Sequence, residues 1–225
     1  HYPLRRQRQM CIRDSVYSVP NAHENICLHV IVTREATCHS AKPNPPKSLQ
    51  DMHYTSHYRS PLGNITLASD GEALTGLWFD GQRYFAAGLD PKHSEYKLPV
   101  FDDTRRWLDN YFSGKTPDFT PPLHLIGSPF RQHVWTELLR IPHGRVTTYR
   151  HLAKLIGIAS TGGPMSARAV GGAVGHNPVS LIVPCHRVVG TDESLTGYAG
   201  GMDKKRFLLG LEGIDCHRLT DFLLE

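Results

Sequence analysis

The sequence predicts an α+β protein with two structural units: a mixed unit of strands and one helix, then a mostly helical unit. Residues 52–127 contain short apolar and β-branched runs separated by turn residues, which is a strand pattern. Residues 128–225 begin with apolar residues at helical spacing, and capping residues precede the runs. The prolines at positions 117, 121 and 122 break the chain between the two units.

The first 51 residues differ in composition from the rest of the chain. Residues 5–15 are rich in arginine and glutamine and resemble a translated cloning remnant, and residues 41–47 have a proline-rich linker composition. Met52 would make a natural start. We therefore predict that residues 1–51 are a non-native or disordered extension, and the alternative is a basic arm that contacts nucleic acid.

The first unit has the pattern of a small α/β domain. Two apolar runs bounded by turn residues predict strands over residues 65–68 and 74–79. A helix is predicted over residues 101–112 because large side chains share one of its faces: Trp107, Leu108, Tyr111 and Phe112.

The second unit opens with three predicted helices. A Ser-Pro pair begins a helix over residues 129–139, and Thr148 caps a short helix over residues 149–156. Residues 157–164 contain glycine and proline and predict a turn, after which Ser166 caps a third helix. The short helix is expected to bury Leu152, Leu155 and Ile156.

Two helices joined by a glycine-containing turn match the helix-turn-helix plan. The second of these helices has one long charged side chain, Arg168, among alanines and glycines. Small residues let a helix approach another surface closely, and that surface is either DNA or a neighbouring helix. Residues 128–190 favour DNA because they contain seven Lys or Arg residues and one acidic residue, although a solvated basic surface is an alternative.

The cysteine and histidine content argues against two kinds of site. The five cysteines are odd in number, and neither they nor the fourteen histidines have the spacing of a disulfide framework or a zinc site. We therefore expect no metal and a reducing compartment. No run of about 18 apolar residues and no signal peptide is evident, so we expect no membrane span.

Cys185 differs from the other cysteines because His186 and Arg187 follow it inside an apolar, β-branched run. Adjacent cationic groups favour a thiolate and lower the pKa of a cysteine. The thiol is therefore a candidate nucleophile held on a strand or strand end. The same pattern also fits a cysteine that only fills the core.

Six sequence blocks, in this order, resemble those of the O6-alkylguanine-DNA alkyltransferase family: Tyr149, residues 166–173 (SARAVGGA), 177–178 (NP), 183–188 (VPCHRV), 197–201 (GYAGG) and 211–213 (LEG). The resemblance covers roughly residues 53–215. It implies a ribonuclease H-like α/β domain followed by a winged-helix-like domain with the helix-turn-helix and the active cysteine. It also implies an enzyme without a cofactor that moves an alkyl group from guanine O6, or thymine O4, to that cysteine in a single turnover.

The resemblance assigns roles to individual residues. Cys185 would accept the alkyl group, and His186 would act as the base that generates its thiolate. Glu212 would orient the imidazole, and Tyr149 would donate to the departing guanine. DNA contacts are implied for Arg168, Ser166, Ala167, Gly171 and Gly172, and substrate-pocket positions for Val188, Tyr198, Ala199 and Asn177.

A base inside a duplex cannot reach a thiol, so the resemblance implies that the guanine turns out of the stack while Arg168 fills the gap. The expected partner is double-stranded DNA that contains O6-alkylguanine. The resemblance further implies a monomer in the cytoplasm of a prokaryote or the nucleus of a eukaryote. Two other functions stay open: a protein that binds alkylated DNA without repairing it, and an unrelated cysteine hydrolase, for which no oxyanion-hole motif is apparent.

Overall fold

The structure is a computed structural model that describes residues 53–161, 163, 165–192 and 194–224, together with the backbone of residues 17–21 and 24–31. Within these residues it contains a seven-stranded mixed sheet, five α-helices and a second sheet of two short strands.

The large sheet belongs to the N-terminal unit. Its strands in chain order are β1 (Tyr17–Asn21), β2 (Glu24–Ile31), β3 (His53–Ser60), β4 (Gly63–Ser69), β5 (Leu74–Phe79), β6 (His93–Glu95) and β7 (Leu123–His124). Their order across the sheet is β1-β2-β7-β5-β4-β3-β6. The centre is an antiparallel meander of β3, β4 and β5, and β7 runs parallel to both β5 and β2. The two predicted strands therefore lie within β4 and coincide with β5.

β1 and β2 lie inside the segment that the sequence predicts to be an extension. They form an antiparallel pair, and β2 adds to the sheet through Val30 and Ile31, which lie opposite Leu123 and His124. Residues 1–16, 22–23 and 32–52 lie outside the described residues. The boundaries at residues 51 and 127 and the nature of the extension stay predictions.

One helix, α1 (Pro99–Phe112), covers the sheet. It begins two residues before the predicted start because proline suits the first turn of a helix, where its missing N–H is not needed. Its buried face packs on the buried side chains of β4 and β5, among them Phe101, Trp107, Leu108 and Tyr111 of the helix and Leu77 of the sheet. Each large apolar side chain buried in this way stabilises the fold by about 1.5–3 kcal/mol.

The C-terminal unit is mostly helical, with α2 (Pro129–Leu138), α3 (Tyr149–Thr161), α4 (Ala167–Gly175) and α5 (Met202–Leu211). The strands β8 (Thr147–Thr148) and β9 (Val188–Val189) pair in parallel. Ser128 caps α2 by accepting from the N–H of Arg131, and the hydroxyl of Thr148 accepts from the N–H of His151 at 3.0 Å. Ser166 occupies the N-cap position of α4, but its side chain makes no capping hydrogen bond.

The predicted turn after α3 is wrong over most of its length. The helix continues to Thr161 rather than ending at Ile156, so residues 157–161 are helical, and residues 162 and 164 lie outside the described residues. One glycine costs a helix about 1 kcal/mol, which the buried residues that precede Gly157 in α3 offset. The stripe that α3 buries is Leu152, Ala153 and Ile156, whereas Leu155 is 45% exposed, contrary to the prediction.

The sequence predicted a strand or strand end at Cys185, and the structure instead has a turn that directly precedes a strand. Cys185–Arg187 form a 3₁₀ turn, and β9 begins only at Val188. Pro184 has no N–H for a strand ladder, and its carbonyl accepts from the N–H of Arg187 at 3.0 Å, which closes the turn.

The two units share one core. Leu77 of β5 accepts from the N–H of Ser180 and donates to the carbonyl of Pro178, both at 2.9 Å, so the segment that leads to Cys185 pairs in parallel with β5. The main apolar cluster includes residues of both units, from Ile65 to Leu208. This arrangement fixes the N-terminal sheet relative to the cysteine turn.

Candidate active site

Cys185 lies on the 3₁₀ turn with 3% of its surface exposed. Asn177 braces this turn from the end of the helix-turn-helix. Its side-chain nitrogen donates to the carbonyl of Val183 at 2.7 Å and to the sulfur of Cys185 at 3.1 Å. Its side-chain oxygen accepts from the N–H of Val179 at 3.0 Å. The position of the sulfur is thus set by a side chain that is itself held on both sides.

A buried network of charges follows the cysteine in sequence. Its centre is the Glu212 carboxylate, whose Oε1 accepts from His186 Nε2 at 2.7 Å, and both side chains are fully buried. Arg187 donates to the two carboxylate oxygens at 2.8 Å and 3.0 Å. Two more donors complete the set, the hydroxyl of Tyr111 at 2.7 Å and the N–H of Gly144 at 3.3 Å.

These contacts determine the charge states. Burial raises the pKa of Glu212, but Arg187 and His186 outweigh burial and hold that pKa well below its ordinary value. Burial lowers the pKa of His186, against the opposing effect of Glu212. At neutral pH the network therefore contains a carboxylate, a guanidinium and a neutral imidazole.

The histidine has one ring nitrogen left for chemistry. Because its Nε2–H donates to Glu212, the lone pair of the neutral ring lies on Nδ1. That Nδ1 is buried and has no hydrogen-bond partner within the part of the chain that the structure describes. It can accept a proton, and Glu212 can stabilise the imidazolium that results.

Burial raises the pKa of the Cys185 thiol above its ordinary value, although the hydrogen bond from Asn177 and the charge of Lys205 act in the opposite direction. The sequence predicted that adjacent cations lower this pKa; on balance it is raised, and the cation that lowers it is Lys205 rather than Arg187. Arg187, the nearby guanidinium, is directed at Glu212 and at the carbonyl of Ile141 instead. The thiol is protonated at rest and needs a base before it can react.

Lys205 belongs to the site, and sequence reasoning missed it. It lies on α5 with 0% of its surface exposed, and its ammonium donates to the carbonyls of Val188 and Thr196. Burial lowers the pKa of Lys205 to about 8, while the charge of a Cys185 thiolate would raise it. A signal was present, because Lys205 lies three residues before the buried Leu208 and so on the same helix face.

Burial raises the pKa of both Tyr149 and Tyr198, and the charge of Cys185 raises it further. The hydroxyl of Tyr149 donates to the carbonyl of Gly197 at 2.8 Å. Gly197 has a φ of +79°, and a Cβ there would lie 2.8 Å from that hydroxyl. Only glycine therefore allows this segment to pass so close to Tyr149.

An open cavity of about 740 Å³ lies in front of these tyrosines. Its walls contain seven of the residues that the sequence assigned to the site: Tyr149, Ala167, Arg168, Gly171, Gly172, Tyr198 and Ala199. Four others are not among the residues that line it. Ser166 is exposed at the start of α4, whereas Asn177, Cys185 and Val188 are buried. Sequence reasoning did not place Arg83 and Tyr84 here, yet this N-terminal loop forms part of the wall.

Comparison with known proteins finds two family models that match successive parts of the chain. The family model described as "6-O-methylguanine DNA methyltransferase, ribonuclease-like domain" matches residues 52–125, and its "DNA binding domain" matches residues 129–214. A methylated-DNA--protein-cysteine methyltransferase of Haemophilus influenzae is 43% identical over 163 residues, which cover 72% of this chain and 87% of the relative. This chain belongs to the 6-O-methylguanine DNA methyltransferase family.

Solved structures of the family share the fold. The Mycobacterium tuberculosis OGT in complex with DNA matches with a TM-score of 0.62 and 39% identity, over 76% of this chain and 99% of that chain. The M. tuberculosis O6-methylguanine methyltransferase matches with the same TM-score of 0.62 and 41% identity, over 72% and 93% of the two chains. Both the family and the α+β fold class predicted from the sequence are confirmed.

Two further observations concern this family member's described residues. Within those ranges, no group of three or more His, Cys, Asp or Glu side chains lies close enough together to hold a metal ion. None of the helices there has the length and apolar character needed to cross a bilayer.

Proposed function

We propose that this protein repairs DNA by transferring a methyl or other alkyl group from guanine O6 to the sulfur of Cys185, once per molecule. The observation that carries the proposal is a buried thiol on the same 3₁₀ turn as His186, whose pair with Glu212 leaves one ring nitrogen able to accept a proton. The names of the relatives support the same reaction class. Thymine O4 carries the same kind of alkyl–oxygen bond and belongs to the proposed substrate class.

The chemistry needs no cofactor. His186 Nδ1 takes the thiol proton, directly or through water, and Glu212 stabilises the resulting imidazolium. The thiolate attacks the alkyl carbon, so the carbon–sulfur bond forms as the carbon–oxygen bond to guanine breaks. The guanine must not leave as a bare anion, and the hydroxyl of Tyr149 donates a proton to its N3 while the imidazolium returns a proton to Tyr149. The thiol proton thus ends on guanine, and the thioether ends the protein's activity.

We propose double-stranded DNA as the partner, bound by a monomer with α4 against the duplex. Arg168 is exposed on α4 beside the cavity, and Gly171 and Gly172 leave that helix face without side chains. The base would turn out of the stack into the cavity, at a cost of a few kcal/mol, and Arg168 would fill the gap. The protein would act where DNA is kept, in the cytoplasm of a prokaryote or the nucleus of a eukaryote.

The test is to mix the protein with an excess of an oligonucleotide duplex that contains O6-methylguanine and then to measure the masses of the protein's peptides by mass spectrometry. We expect one methyl group on the peptide with Cys185 and one guanine restored per protein molecule. Cys185→Ala should remove transfer. The matched control is Cys216→Ala, which alters the other free thiol among the described residues and should leave transfer unchanged. Binding without any change of mass would instead establish a protein that binds alkylated DNA without repairing it.

A further inference from the structure

One wall of the cavity comes from the N-terminal unit, from the loop that follows β5. Arg83 donates its backbone N–H to the carbonyl of Ala199 at 3.0 Å, which fastens this loop to the segment that covers the pocket. The preceding residue, Gln82, accepts from the N–H of Phe79 at 2.9 Å and from the hydroxyl of Ser180 at 3.3 Å. The loop is therefore tied to the C-terminal unit at two points.

Tyr84 is held in an unusual conformation at the end of α4. Its φ is +61°, a region that residues other than glycine adopt only when their surroundings impose it. Its ring stacks on the ring of His176 with centroids 3.8 Å apart, and His176 is itself bonded through Nδ1 to the carbonyl of Gly172. The tyrosine ring is thus held in a fixed position beside the end of α4.

Arg83 rests on the ring of Tyr84. Its guanidinium carbon lies 4.9 Å from the centroid of the Tyr84 ring, at cation–π distance, and the residue is exposed. Arg83 forms no ion pair with a carboxylate of the described residues. The charged residues of the cavity wall are two arginines, Arg83 from the N-terminal unit and Arg168 from α4, with no acid between them.

We propose that Arg83 binds a backbone phosphate beside the nucleotide that enters the cavity, so that one arginine from each unit holds the DNA at the cavity mouth. This proposal rests on the proposed function. A nucleotide that leaves the stack carries its two flanking phosphates to the mouth of the pocket, where a guanidinium can hydrogen-bond to them. The stacked ring beneath Arg83 restricts its side chain before DNA arrives, which lowers the entropy lost on binding.

The test compares Arg83→Gln with wild type on two substrates, a duplex with O6-methylguanine and the free base O6-methylguanine. We expect repair of the duplex at limiting concentration to fall about tenfold or more, as for loss of a charge-assisted hydrogen bond. The slope of log binding constant against log salt concentration should fall by about 0.9, the value for one phosphate contact. Transfer from the free base should stay unchanged, and Arg83→Lys should restore the slope.

The matched control is Arg59→Gln, which removes an exposed arginine of β3 that does not line the cavity and should change neither measurement. An unchanged salt slope and duplex rate for Arg83→Gln would overturn the proposal, as would equal losses on both substrates. Failure of the proposed function gives a different result, because the wild type would then transfer from neither substrate.

Discussion

Replacing Tyr111 by phenylalanine tests whether the N-terminal unit contributes to the charge network. The hydroxyl donates to the buried Glu212 carboxylate at 2.7 Å and lies 3.3 Å from His186 Nε2. Burial, with the charge of Glu212, raises the pKa of Tyr111 well above its ordinary value, so the hydroxyl keeps its proton and remains a donor. A hydrogen bond to a charged group contributes about 1.5–3 kcal/mol. In Tyr111→Phe, Glu212 retains His186, Arg187 and Gly144 as donors. The free energy of unfolding should therefore fall by an amount near the lower end of this range, about 1.5–2 kcal/mol.

This loss would be measured by denaturant unfolding and by thermal unfolding, where a fall of about 3–8 °C in Tm is expected. The pKa of Glu212 is depressed in the folded state, so its contribution to stability is present above the unfolded pKa and is lost only as pH falls through the folded value. The loss should therefore be the same at about pH 5 as at about pH 7. Transfer from duplex and free base should slow together by about tenfold, because the imidazolium loses part of its support.

Tyr58→Phe is the matched control, because Tyr58 makes the same kind of bond, at 2.8 Å, to the exposed Asp109. Exposed pairs contribute less, so its expected loss is below about 1 kcal/mol. If Tyr111→Phe lost no more stability than Tyr58→Phe and transferred at the wild-type rate, the hydroxyl would not support the network and the reasoning would be refuted.

Four further predictions follow from the site and the chain. Lys205→Met should raise the pKa of the Cys185 thiol further, because the ammonium of Lys205 lowers it. The rate of alkylation by iodoacetamide should then rise at higher pH than in wild type, and an unchanged midpoint of that pH profile would contradict this effect of the ammonium. Burial lowers the pKa of His186 in the folded state, so its contribution to stability is present above the unfolded value of about 6.5 and is lost as pH falls. Between about pH 7.5 and about pH 5.5, wild type should therefore lose more free energy of unfolding than His186→Gln. Parallel plots of unfolding free energy against pH for the two proteins would speak against this. Arg168→Ala should slow repair of duplex much more than transfer from the free base, and equal losses would rule out a role in filling the stack. Deleting residues 1–51 should leave transfer intact, because the family matches begin at residue 52, and a large loss would show that the segment is a working part.

The parts of the fold that the sequence predicted are those that local patterns determine. Residues 74–79 are an apolar run bounded by turn residues, and they match β5. The capped apolar stripe after Ser128 matches α2. The short strands β6 and β7 have no such pattern in their sequence. They are strands because they pair with strands distant in sequence, β6 with β3, and β7 with β2 and β5. The end of α3 was missed because Gly157 signals a break locally, whereas the helix continues to Thr161.

Local sequence patterns also failed to indicate some polar residues of the candidate site. Sequence blocks singled out Cys185, His186 and Glu212, but no pattern placed Tyr111 with them, and the helical spacing of Lys205 from Leu208 indicated burial without indicating its partners. Lys205 stands in a run of charged residues typical of a solvated helix face, and Tyr111 looks like one more aromatic residue of a core stripe. What distinguishes them is a polar atom that reaches a partner 101 residues away for Tyr111, and 17 residues away for Lys205. Partners at such separations are set by the tertiary fold alone.

Residues of both units therefore contribute to the charge network and to the cavity. Tyr111 brings a donor from α1 to the Glu212 carboxylate, and Arg83 brings a cation from the β5 loop to the cavity mouth. Both are held in register with Cys185 by the backbone bonds of Leu77 to the segment before the cysteine turn. A shift of the N-terminal sheet would alter the donors to the buried carboxylate and the wall of the cavity together. The N-terminal unit for this reason contributes to the candidate site, and substitutions at its contact with residues 178–180 should impair transfer even though they touch neither the sulfur nor α4.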